Sequence, residues 1–171
     1  MRFFVGIGLA LVLVWPGPSA GQNSPEYRGA LAGIRGLVLY VDTLSTEMPQ
    51  KGITRDVLRL KLGKQLRDAG IPVVEAPLRD RIPGDPVLVL AVTAIFDERN
   101  RRCVCSLRMD LTQTVRLDRN PGYVVFGVPT WSIGRLGLYT KHWREEMIED
   151  VYSLADEFID AYYGANPYGG E

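Results

Sequence analysis

The sequence predicts an α+β fold, a two-layer α/β sandwich with a mixed sheet of four to five strands and two helices packed on one face. Three observations predict it. The runs GLVLYVDTL (36–44) and VLVLAVTAIF (87–96) are apolar and β-branched, as strands are. CVCSLRMDLTQTVRL (103–117) alternates, which marks one packed and one solvated face in an antiparallel sheet. Two other segments, 54–69 and 141–167, carry apolar residues at helical spacing instead. The order is β-α-β-β-β-(β)-α, a single α/β domain over 34–167 whose first βαβ step is a right-handed crossover.

Each element has its local reason. MPQKG (48–52) breaks the first strand. Thr54 can cap the helix that follows, Gly70 stops it and Pro72 lies just beyond. Val57, Leu58, Leu62, Leu66 and Ala69 form its apolar stripe. A short strand, PVVEA, precedes the loop PLRDRIPGDP, and DERNRR reads as a hairpin loop between the two long strands. In 103–117, Cys103, Cys105, Leu107, Met109, Leu111, Val115 and Leu117 share one side, with Gln113 the exception. YVVFGVPTWSIGRLG (123–137) supplies one or two more strands. The last helix turns Met147, Val151, Leu154, Phe158 and Ala161/Tyr162 inward, with Gly164 and Pro167 ending it.

Compartment follows from the N-terminus. Arg2 precedes an apolar run from Phe3 to Trp15, then a Pro/Gly/small-residue stretch, which is the layout of a secretory signal peptide over 1–20. At 13 residues the run falls short of the roughly 20 a spanning helix needs. An uncleaved anchor or a buried N-terminal helix is the alternative. No cysteine follows the run to take a lipid. The expected product is periplasmic or secreted, without membrane insertion after signal cleavage, with flexible segments at 21–33 and 168–171. With 20 basic and 20 acidic residues, and Arg2 lost with the leader, its net charge is near −1, which gives no attraction to nucleic acid.

Cys103 and Cys105 are the only cysteines. At i and i+2 on a strand they point the same way, with Cα atoms about 7 Å apart, at or beyond the reach of an unstrained disulfide. They align with Leu107, Met109 and Leu111, which favours two buried thiols acting as small hydrophobes. A strained disulfide, intermolecular pairing and a metal site are the alternatives, the last short of ligands.

No other constellation carries chemistry. His142, the lone histidine, sits near a helix start, where a solvated or capping role is expected. Asp42, Asp56 and Asp110 are scattered and read as solvated. Gly127–Gly137 lacks phosphate-loop spacing, so its glycines are read as bends or close strand packing. Arg99, Arg101 and Arg102 read as a solvated hairpin tip, and Trp131, Tyr139 and Trp143 as seats for the last helix. No catalytic, cofactor or metal residue is expected, and no cofactor.

One feature points to a partner. The strands at 36–44 and 87–96 are apolar on both faces, and two helices cover only one. Either YVVFGV folds over the second face or another chain does.

A strand like GLVLYVDTLS, a helix ending DAGIPVVE, paired long strands and a final helix resemble the element order of small exported domains. These are the TolB N-terminal domain, the CsgG-type lipoproteins and the penicillin-binding-protein activator lipoproteins. The set DAGIPVVE, SLRMDLTQTVRL, TWSIGRLG and EFIDAYYGANP is also similar to a group of uncharacterised exported bacterial proteins. The resemblance implies a non-enzymatic accessory or interaction module of the cell envelope, partnered by another envelope protein or by itself. A binder of a small apolar or amphipathic ligand is the alternative. A thiol redox protein using Cys103/Cys105 is the third reading.

Overall fold

The computed structural model describes residues 28–97, 99 and 102–167. The signal peptide expected over 1–20, part of the 21–33 segment and the 168–171 tail lie outside the described residues. The elements are β1 (Leu37–Leu44), α1 (Arg55–Asp68), β2 (Val73–Val74), β3 (Val87–Asp97), β4 (Arg102–Leu117), β5 (Asn120–Tyr139) and α2 (Trp143–Ala165). They build one open sheet in the order β2-β1-β3-β4-β5. β1 runs parallel to β2 and β3, while β4 and β5 join as antiparallel neighbours. Both helices cover one face, the α+β sandwich that the sequence predicts.

The helix-facing layer is dry. Leu88, Leu90 and Val92 of β3 and Cys103, Cys105, Leu107, Met109 and Leu111 of β4 are fully buried. They meet Leu58, Leu62 and Leu66 of α1 and Met147, Val151, Leu154 and Phe158 of α2, all buried. Val57 and Ala69, at the margins of the α1 stripe, are half-buried. Leucines of this kind each stabilise the fold by about 1.5–3 kcal/mol relative to exposure.

The ends of α1 form as the residues dictate. Thr54 Oγ1 accepts the Val57 N–H at 3.2 Å, satisfying one open amide of the first turn. Gly70, at φ +82°, turns the chain so that the Ile71 N–H reaches the Leu66 carbonyl at 2.9 Å. For α2 the reading is corrected: the helix passes through Gly164, and Asn166 caps it. Asn166 Nδ2 donates to the Leu31 and Tyr162 carbonyls, and its Oδ1 accepts the Gly33 N–H at 2.8 Å. Leu31, within the segment expected to be flexible, is thereby packed and fully buried.

Three local features depart from simple alternation. In β1, Val41 pairs with Leu90 but Leu44 pairs with Val92, so three residues match two. This bulge keeps both Val41 and Leu44 in the core. YVVFGVPTWSIGRLG forms one continuous strand, β5, of 20 residues. Register shifts after Leu111 and Gln113 place extra residues on β5, near Gly127 at φ +65°, and the β4–β5 ribbon runs on past Val87, where β3 starts opposite Thr112. Val115 and Leu117 therefore leave the core row and are half-buried.

That course also settles the second face. YVVFGV stays in the ribbon and does not fold over the sheet. Because β2 and β3 flank β1, the β2–β3 connection, a 3-10 turn at Ala76–Arg81 and the residues after it, has to cross β1. It passes the second face near the start of the strands, where a Cβ on Gly36 would meet Ile82 Cδ1 at 3.7 Å. Val38 and Val87 are buried there. Further along, nothing described covers the strands.

Candidate functional site

The cysteines come first. Cys103 and Cys105 are free, fully buried and aligned with the core row, with Sγ atoms 3.0 Å apart. Cys105 lies between Ala94 and Gly137, and Cys103 between Phe96 and Tyr139. Burial raises both thiols above their ordinary value, and for Cys105 the adjacent Cys103 adds to the shift. A thiol that resists ionising is a poor nucleophile. Their geometry is that of core residues.

The edge strand β5 holds α2 by polar contacts. Arg135 occupies a core-facing register position opposite Leu107. Its guanidinium donates to Asp150 Oδ1 at 2.8 Å, Glu157 Oε1 at 2.7 Å and Ser153 Oγ at 3.3 Å. Tyr139 O–H donates to Asp150 Oδ2 at 2.6 Å, and its ring fills the space a side chain on Gly137 would take. Burial, then the neighbouring Asp150 carboxylate, pushes the Tyr139 hydroxyl above its ordinary range. The aromatics seat the same helix: Trp131 stacks edge-on with Phe158 at 5.2 Å, and Trp143 with Phe96 at 5.1 Å.

The second sheet face is the candidate site. Ile95, Val104 and Leu138 are cross-strand partners in one row across β3, β4 and β5. They are 71%, 40% and 62% exposed, and Leu136, two residues along β5, is 75% exposed. Thr93 and Ser106 continue the Leu136 row, and Arg102 and Asp97 flank the Ile95 row. Asp110 lies further down this face and corrects the solvated reading of that residue. It is buried, accepts from Ser132 Oγ and pairs with Arg108 Nε at 2.7 Å. The carboxylate thus ties β4 to β5 through Ser132 and holds Arg108 on its own strand.

The sequence missed Leu136 and Leu138, although a signal was present. In TWSIGRLGLY, Trp131, Ile133 and Tyr139 set the inward phase, yet the arginine falls in that phase and two leucines fall outside it. Inverted alternation on an edge strand marks a helix latch on one side and an apolar surface on the other.

The remaining candidates stay apart. His142 is exposed at the start of α2 and makes no side-chain cap. Asp42 and Asp56 are exposed on separate elements, and Arg99 and Arg102 are exposed around the hairpin; Arg101 lies outside the described residues. Among the described residues, no group of three or more His, Cys, Asp or Glu side chains could hold a metal. No described helix is long and apolar enough to cross a membrane. A cleft of about 400 Å³ opens between β1 and α1, and one of about 250 Å³ lies beside Phe96 and Trp143.

No family model matches the chain, and no curated protein matches it. Solved structures give distant likenesses. A PelC variant dodecamer from Paraburkholderia phytofirmans is 19% identical at TM-score 0.42, over 77% of this chain and 89% of that one. A second PelC dodecamer from the same organism is 14% identical at TM-score 0.39, over 80% and 89%. A minor lipoprotein from Acinetobacter baumannii is 11% identical at TM-score 0.31, over 72% and 89%. Likenesses this distant transfer neither a partner nor an activity to this chain.

Proposed function

We propose that this chain is an exported, non-enzymatic interaction module of the bacterial cell envelope, and that it docks through the second face of its sheet. The single observation that carries the reading is the row Ile95–Val104–Leu138 with Leu136 beside it, four apolar side chains contiguous across three strands and open to solvent. Isolated exposed leucines are ordinary, but a contiguous patch of this kind on a rigid sheet is what a protein partner covers. The leader-like N-terminus supports export. The buried, hard-to-ionise thiols support a structural role for the cysteines.

A photo-crosslinking amino acid placed at Leu136 or Ile95, in the chain expressed with its own leader in a bacterium, tests the reading. A discrete adduct at twice the chain's mass reports self-association, and one at another fixed mass reports a different envelope protein. The same probe at Glu149, exposed on α2, serves as the control. Equal labelling at all three positions, or none, together with a monomer at every concentration by sedimentation, overturns the proposal.

A further inference from the structure

We infer that the cleft between β1 and α1 binds an extended, acidic segment of another polypeptide, which adds as a strand to the open edge of β1. This surface is distinct from the Ile95–Leu138 patch, and the inference does not depend on binding there.

The first wall is backbone. β2 pairs only with Leu37 and Val38, while β1 continues to Leu44. The Leu37 N–H donates toward β2, to the Pro72 carbonyl at 2.9 Å, and the Val38 N–H donates the other way, to the Pro86 carbonyl at 3.0 Å. By that alternation the backbone groups of Val41 face the β2 edge. The chain has left that edge by then, because Ala76 begins a 3-10 turn. An edge with unmet N–H and C=O groups is a template for another strand.

The second wall is charged. Positions 55, 59, 63 and 67 recur at four-residue spacing, so they form one row along α1. Three are arginines and the fourth is Gly63, over which the Arg67 guanidinium folds, 3.2 Å from where a Cβ would stand. Arg59 lies 3.9 Å from Asp56, whereas Arg55 and Arg67 make no ion pair among the described residues. Leu60, 67% exposed, adds an apolar contact to the same wall. The chain as a whole balances 20 basic against 20 acidic residues, whereas the cleft sets three arginines against Asp56 and Glu75, a positive surplus carried by the α1 row. Backbone on one side and guanidinium forks on the other match a strand bearing carboxylates. An anionic lipid or free phosphate would satisfy the arginines and leave the β1 edge unused, which is why a peptide is favoured.

The test uses the full chain and a labelled, N-acetylated 12-residue peptide alternating valine with glutamate. Two controls accompany it: the same peptide with lysine for glutamate, and one with alternate backbone amides N-methylated. Fluorescence anisotropy is expected to show at least tenfold tighter binding of the acidic peptide than of either control. Hydrogen exchange should slow at the Val41 amide when the peptide is present. The double variant R55E/R67E, at two exposed positions, should lose tenfold or more for the acidic peptide and gain for the lysine peptide, with an unchanged urea midpoint. L136S should bind as the wild type does. Equal binding of the N-methylated peptide would mean charge attraction alone and overturns the inference, as does an unaltered affinity in R55E/R67E. Slow Val41 exchange without peptide that is lost on dilution would make a second copy the occupant, which also overturns it.

Discussion

The two faces of the sheet are written by the same strands and have opposite fates. On the helix side, Cys103, Cys105, Leu107, Met109 and Leu111 are sealed; on the other, Val104, Leu136, Leu138 and Ile95 stand in solvent. Apolar character therefore does not decide burial here; the presence of a second layer does. The covered face earns its stability from close packing, where each missing atom leaves a void. The open face contributes little to folding and keeps its apolar area available. Changes on the first face should read out as stability, and changes on the second as association.

The largest break in that contrast comes from Trp131→Ala. The indole, carried by β5, is buried edge-on to Phe158 of α2. Its loss should cost about 3–5 kcal/mol, measured as a fall in the urea midpoint with unchanged slope. A cost near zero would mean that α2 is not seated there. Next comes Arg135→Met, which leaves Asp150 and Glu157, about two turns apart on α2, without their shared cation. The expected loss is about 1–3 kcal/mol, with the C-terminal half of α2 exchanging its amides faster. A neutral result would make that network ornamental and leave helix docking to apolar packing alone.

A smaller effect sharpens the contrast by pH. Burial raises the Cys103 and Cys105 thiols above their ordinary 9.0 and the Tyr139 hydroxyl above its ordinary 10.0. Groups raised in the folded state stay protonated there while the unfolded chain releases protons. Their contribution is thus fully present below pH 9 and is lost as pH rises beyond it. Urea midpoints should be flat from pH 7 to 9 and fall above. Cys103→Ala/Cys105→Ala should cost about 1–2 kcal/mol at pH 7 and move the start of the decline toward pH 10. Adding Tyr139→Phe should shrink what remains to the share of Tyr162, whose hydroxyl burial also raises above its ordinary 10.0. A decline that persists unchanged would place its origin in other groups.

Much of the covered face was legible in the sequence, for a physical reason. The alternation at 103–111 and the stripes on both helices record burial against a partner layer inside the chain, and every residue of the α2 stripe is buried. The Thr54 and Gly70 ends of α1 were legible because capping is local. What was hidden depended on register. Val115 and Leu117 lie beyond the point where β3 starts opposite Thr112, so they leave the core row although β4 keeps its alternation, and no local pattern announces where a neighbouring strand begins. Asp110 looked solvated because its donors, Ser132 and Arg108, are assembled only by β4–β5 pairing and local strand geometry. The open face was half visible: both-faced apolar strands pointed to it, but only the path of YVVFGV shows that this segment does not cover it.

The smallest expected change in stability carries the sharpest distinction. Leu136→Ser/Leu138→Ser removes two exposed leucines from an edge strand whose other phase, Trp131, Ile133 and Arg135, still holds α2. With no void created, the urea midpoint should shift by no more than about 0.5 kcal/mol per site. Cross-linking through Ile95, two strands away from the new serines, should nevertheless fall several-fold, because the contiguous area that a partner would cover has been halved. If stability drops by several kcal/mol instead, the second face is covered by some part of this same chain, and the two faces differ less than their exposure indicates. If stability holds and cross-linking holds as well, the patch is a bystander and any docking occurs elsewhere on the molecule. Only stable folding with lost association preserves the division of labour between the two faces.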